Sequence, residues 1–172
     1  IYIADIGNKR IRMADLKTGK ASTIAGNGKK GVPRDGAKAT EAPLFDPRAV
    51  ASDSNGNVYI LERSGHALRV VRSNGRIYTV VGTGKKGKQD GPGKRATLGA
   101  PKHICVDTAG NVYIADEAND LIRKYDAKTG EVSTVLGHGK VKLDYPHGVT
   151  WHNGKLYVVD TGHSRILRVE KL

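Results

Sequence analysis

A five-residue run recurs four times along the chain: Ile1-Tyr2-Ile3-Ala4-Asp5, Val58-Tyr59-Ile60-Leu61-Glu62, Val112-Tyr113-Ile114-Ala115-Asp116 and Leu156-Tyr157-Val158-Val159-Asp160. Past each acid lies a second strand-like segment, around Ile11-Arg12, Leu68-Arg69, Ile122-Arg123 and Ile166-Leu167. A third follows in three copies, at Ser22–Gly26, Tyr78–Gly82 and Ser133–Gly137. A fourth begins at a proline, at Pro47, Pro101 and Pro146. All these runs are short, rich in β-branched and aromatic residues, and bounded by turn residues such as Asn55-Gly56-Asn57 and Ala109-Gly110-Asn111. No long segment has helical period. A unit that cannot bury its own apolar face must stack on its neighbours, so the repeat itself dictates the architecture.

Four short antiparallel strands in units of ~40–55 residues predict an all-β fold, a β-propeller of four-stranded antiparallel blades. With strands lettered a to d from the channel outward, starting at the proline, the chain reads b-c-d, a-b-c-d, a-b-c-d, a-b-c. That is about three and a half blades in one propeller segment spanning 1–172. The approximate units are 1–46, 47–100, 101–145 and 146–172. Closed propellers use about four to eight blades. The expectation is therefore self-association, or completion by a missing propeller segment, to cover the edges and apolar faces of an unclosed ring. The chain opens on a strand without an initiator Met, which reads as the continuation of a longer chain. No run approaches the ~20 apolar residues of a membrane-spanning helix. Nothing names a compartment, an extracellular or periplasmic setting being the working expectation. Cys105, the single cysteine, lies in the apolar run Ile104-Cys105-Val106 and reads as an inert thiol.

The segments Pro47–Glu62 and Pro101–Asp116 carry a further signature: Pro, a β-branched residue and Asp, then Gly-Asn-Val-Tyr ending on an acid, with Arg following in the next strand. This pattern resembles the NHL repeat, and Pro146–Asp160 matches it with a shortened turn. The resemblance covers essentially the whole chain. It implies a propeller and leaves the function open, because such propellers serve many roles.

Antiparallel order places the d-to-a connections and the b-to-c turns at one end of the propeller. The long d-to-a loops carry Lys29 and Lys30 in the first copy, and Lys85, Lys86, Lys88, Lys94 and Arg95 in the second. Strand a starts at the same end, so Arg48, Lys102, His103 and His147 are expected around the channel mouth. With 29 Lys and Arg against 17 Asp and Glu, a formal +12, this face is a candidate anion-binding surface.

The functional expectation is a non-catalytic binding or assembly scaffold recognising a protein or an anionic polymer such as a polysaccharide, with no cofactor. Pro146-His147-Gly148 resembles the Pro-His motif of the peptidyl-hydroxyglycine amidating lyases, NHL propellers whose channel histidines bind zinc, which makes a metal-dependent lyase centred on His147 the alternative. Arg48 and Lys102 stand at the matching positions of the other blades, where cations repel a metal. A second alternative is single-stranded RNA, since some NHL domains present a basic face to it. That mode wants stacking aromatics, and aromatics are only 5% of the chain. Gly26-Asn27-Gly28-Lys29-Lys30-Gly31 and its copy Gly82–Gly87 lack the spacing of a phosphate loop and read as a repeated turn.

Overall fold

In a computed structural model, which describes residues 1–170, the chain forms four antiparallel sheets in sequence order. The first contains β1 (Tyr2–Asp5), β2 (Arg10–Ala14) and β3 (Ala21–Ala25). After β4 (Ala37–Lys38), the second contains β5 (Pro47–Ser52), β6 (Val58–Glu62), β7 (Ala67–Val71) and β8 (Arg76–Val81). After β9 (Gly91–Pro92), the third contains β10 (His103–Val106), β11 (Val112–Asp116), β12 (Leu121–Tyr125) and β13 (Glu131–Leu136). The last contains β14 (Pro146–His152), β15 (Lys155–Asp160) and β16 (Arg165–Val169). This is the b-c-d, a-b-c-d, a-b-c-d, a-b-c order of a propeller, with β5, β10 and β14 innermost and packed in succession. The last two residues of the expected unit 146–172 lie outside the described residues. No helix among the described residues is long and apolar enough to cross a membrane.

The repeat alone did not show β4 and β9. Each comes from the d-to-a loop before a complete blade and adds a fifth strand to that blade's outer edge, β4 on β8 and β9 on β13. Both are two residues long, too short to read as strands in sequence. They exist because an outer edge strand has unpaired amides and carbonyls for a passing backbone to bond.

Burial explains the strand patterns. In β6, β7 and β11 all five residues are buried, since the two complete blades are covered on both sides. Their runs are therefore nearly continuous in apolar character. In β15, by contrast, Leu156, Val158 and Asp160 are buried while Val159 is exposed. The core consists of three layers, each between consecutive sheets. Ile11, Ile60 and Ile77 build the first; Leu61, Leu68 and Ile114 the second; Tyr113, Ile122 and Leu156 the third. Each layer takes one leucine from the connecting loop: Leu44, Leu98 and Leu143. Fully burying such a side chain contributes roughly 1.5–3 kcal/mol. The loops are thus packed elements rather than loose connections.

Candidate ligand-binding mouth

The mouth is built where each d-to-a loop meets the end of strand b. The acid closing strand b accepts a loop amide, Glu62 from Phe45 at 2.7 Å and Asp160 from Asp144 at 2.8 Å, and Asp116 does the same for Gly99. An arginine then completes the anchor. Arg69 pairs with Glu62 at 2.7 Å, and Arg123 pairs with Asp116 at 3.0 Å, all four side chains being essentially buried. Arg123 also donates to the carbonyls of Thr97 and Gln89 in the loop. In the last sheet Leu167 holds the corresponding position, and Arg165 and His163 bond Asp160 instead. The recurring acids are therefore structural. Desolvation raises the Asp116 carboxyl above its ordinary range, against Asn119, the Gly99 amide and Arg123. Desolvation also raises Asp160, but the Asp144 amide, Arg165 and His163 outweigh it and leave that carboxyl low.

With its base anchored, each long loop doubles back as a hydrogen-bonded ribbon. Leu44 donates to the Lys29 carbonyl at 3.2 Å and Gly31 to the Leu44 carbonyl at 3.3 Å. In the next copy Gly87 donates to Leu98 at 3.2 Å and Thr97 to Gln89 at 3.1 Å. The leucine faces the core while Lys29, Lys30, Lys85, Lys86 and Lys88 are exposed. No helix follows either glycine-rich segment, so neither forms a phosphate loop. The loop acids Asp35 and Asp90 turn outward to hold the next blade's outer strand, accepting the Thr79 and Thr134 amides at 2.6 and 2.9 Å. Asp35 also pairs with Lys94 at 2.8 Å, which removes that lysine from the basic set. Lys30 lies over the Phe45 ring, 4.6 Å from its centroid.

The four expected mouth residues separate. Arg48 and His147 sit in matching register irregularities just after Pro47 and Pro146, and both are exposed. Lys102 is nearly buried and pairs with Glu117 at 3.1 Å; the same carboxylate oxygen lies 3.6 Å from His147 Nε2. Glu117 thus joins consecutive innermost strands and neutralises part of the expected cationic ring. His103 faces the next inner strand, its Nδ1 3.1 Å from the Val149 carbonyl, beside Tyr157, Val159 and Ile166. Burial lowers its basicity despite that bond. Among the described residues no three His, Cys, Asp or Glu side chains converge as a metal set. Burial pushes the Cys105 thiol up to about 12, so it is a poor nucleophile at neutral pH.

Sequence reasoning passed over Glu117 and Arg63. Their signal was present: each follows the acid that closes strand b, at the position also held by Ile6 and Thr161. All four open the same turn, with carbonyls accepting the amides of Lys9, His66, Asp120 and Ser164 at 3.0–3.3 Å.

Comparison with known proteins decides the family. The family model of the Teneurin NHL domain matches residues 1–92, more than half of the chain. The chain belongs to the NHL-repeat β-propeller family. The chain is 34% identical over 143 residues to the Arabidopsis thaliana protein SUPPRESSOR OF QUENCHING 1, chloroplastic, a match covering 78% of this chain and 14% of that protein. It is 32% identical over 108 residues to NHL repeat-containing protein 2 of Gallus gallus, covering 62% of this chain and 15% of the relative. This NHL segment thus spans about a seventh of each relative's length. Its fold is similar to that of an auxiliary nutrient binding protein from Bacteroides thetaiotaomicron, with a TM-score of 0.72 at 18% identity, covering 97% of this chain and 44% of that one.

Proposed function

We propose that this propeller segment is a non-catalytic binding and assembly module that engages an anionic partner, an acidic protein surface or a polymer such as an anionic polysaccharide, on its lysine-bearing ribbons. The observation that carries the reading is a repeated one. Lys29-Lys30 and Lys85-Lys86 occupy equal positions on two successive ribbons, and among the described residues no acid pairs with any of them. The ribbons are rigidly based, so the charge is presented on a fixed frame, and preordered charge costs less entropy on binding.

Assembly draws on a second feature. Ile1, Ile3 and Ile6 on the first sheet and Val159 and Ile166 on the last are exposed apolar residues on the terminal blades. Such faces are suited to another propeller blade, from a second copy or from a longer chain.

Heparin is a suitable anionic probe. Lys85→Glu, Lys86→Glu and Lys88→Glu together should weaken its binding more than about tenfold, with a steep dependence on salt from counterion release. The same change at Lys17, Lys20 and Lys128, exposed on the turns of the opposite face, should have little effect. Equal losses from both sets would reduce the reading to diffuse attraction by a cationic protein.

A further inference from the structure

We infer that the mouth between the second and third sheets holds an oxyanion subsite built by Arg63 with Arg48, beside the Lys102–Glu117 pair, and suited to a phosphate- or carboxylate-bearing group. The inference rests on the reading of the mouth as the binding face, and its probe separates the two.

The repeat locates the subsite. Glu117 opens the b-to-c turn of the third sheet and reaches both Lys102, at the head of its own inner strand, and His147, at the head of the next. Arg63 opens the same turn one sheet earlier, so its place lies between Arg48 and Lys102, the corresponding heads. Two bonds fix it there. The Arg63 amide donates to the Asp46 carbonyl at 3.0 Å, beside Pro47-Arg48. At the other end of the turn, His66 accepts the Ala100 amide at 3.1 Å, beside Pro101-Lys102. Where the third sheet places an acid between Lys102 and His147, the second therefore places the Arg63 guanidinium beside Arg48.

The guanidinium is poorly served by the protein. Its Nε is buried and has no hydrogen-bond partner among the described residues. The nearby acids are committed elsewhere: Glu62 to Arg69 and the Phe45 amide, Asp46 to the Ser64 hydroxyl at 2.6 Å, and Glu117 to Lys102. Arginine stays charged at any physiological pH. A buried donor without an acceptor is costly, and the Arg48 charge at the head of the same sheet's inner strand adds to that cost, Lys102 being paired with Glu117. An anion offering two oxygens can accept from the two Nη groups, which have no protein partner among the described residues, a paired geometry in which arginine binds carboxylate and phosphate strongly.

The test titrates inorganic pyrophosphate, and separately a tricarboxylate, into the protein at low salt by calorimetry. Binding of either with about tenfold or greater loss in Arg63→Gln, and a smaller loss in Arg48→Gln, is the expected result. Preference between the probes identifies the group. Arg63→Gln should melt at or above the parent temperature, since among the described residues the side chain makes no hydrogen bond or ion pair to lose. The charge-reversed Lys17, Lys20 and Lys128 variant removes more positive charge from the opposite face and should bind as the parent does. Absence of binding by both probes, or a loss in the opposite-face variant matching that in Arg63→Gln, would overturn the subsite. Loss of heparin binding in the ribbon variant with pyrophosphate binding unaltered by Arg63→Gln would sink this inference and leave the ribbon reading standing.

Discussion

His66 Nδ1 accepts the backbone amide of Ala100 at 3.1 Å, tying the turn of the second sheet to the residue that enters the third. Asp120 repeats the link one sheet later, accepting the Tyr145 amide at 2.9 Å. Both acceptors sit at positive φ, as do the two residues they receive. Burial, with an added push from Lys86, lowers the His66 basicity below its ordinary 6.5, although Asp116 pulls the other way. A histidine that is neutral when folded stabilises the protein above the unfolded-state value. That contribution fades as pH falls from about 6.5 through the depressed folded-state value. The melting temperature should therefore drop more steeply below pH 6.5 in the parent than in His66→Asn, whose amide oxygen can accept the same bond without titrating. His66→Leu should cost about 1 kcal/mol at neutral pH in denaturant unfolding. Equal pH slopes for the parent and His66→Asn would refute the role.

The buried anchors and the half-exposed one should separate in energy. Asp116 and Arg123 are fully buried, whereas Arg12 and Asp5 meet at 3.4 Å with side chains 35% and 26% exposed. Asp116→Ala leaves the Gly99 amide without its acceptor and Arg123 with Asp90, at 2.6 Å, as its remaining carboxylate, and should cost about 1–3 kcal/mol. Asp5→Ala should cost under about 1 kcal/mol. Urea titrations monitored by tyrosine and tryptophan fluorescence give both values, and similar losses would contradict the burial argument.

Gly82 ends β8 at φ +104°, and a Cβ there would lie 2.2 Å from the His66 carbonyl oxygen. Gly26 and Gly137 repeat this contact against Lys9 and Asp120. The outer strand can close on the next turn only without a side chain. Gly82→Ala should destabilise by at least roughly 1–3 kcal/mol. Gly56→Ala, at φ +78° with nothing near, carries conformational strain alone and should cost less. Thermal melts of the two variants check the order.

The terminal faces should drive association. Ile166 is 70% exposed and Ile1 65%, so the protein at high concentration should sediment above monomer mass. Val159→Glu with Ile166→Glu should return it to monomer and reduce binding of an apolar dye. A parent that remains monomeric with no dye response would remove the assembly half of the proposed function.

The order of strands was legible from four copies of one motif, because blade formation depends on local properties: short β-branched and aromatic runs, turn residues, and a proline that starts the inner strand. The glycines closing strand d were equally visible in Gly26, Gly82 and Gly137. The state of the charges was not. Lys94 and Lys102 read as part of a basic face, but Asp35, 59 residues from Lys94, and Glu117, in the next strand's turn, neutralise them. Arg63 drew no notice in a sequence with 29 basic residues, and stands out only when the turn places it between Arg48 and Lys102. Strand pairing is written in nearest-neighbour pattern and survives any reading that finds the period. Electrostatic interaction falls off with distance and strengthens with burial, and both are decided when sheets distant in sequence are packed together.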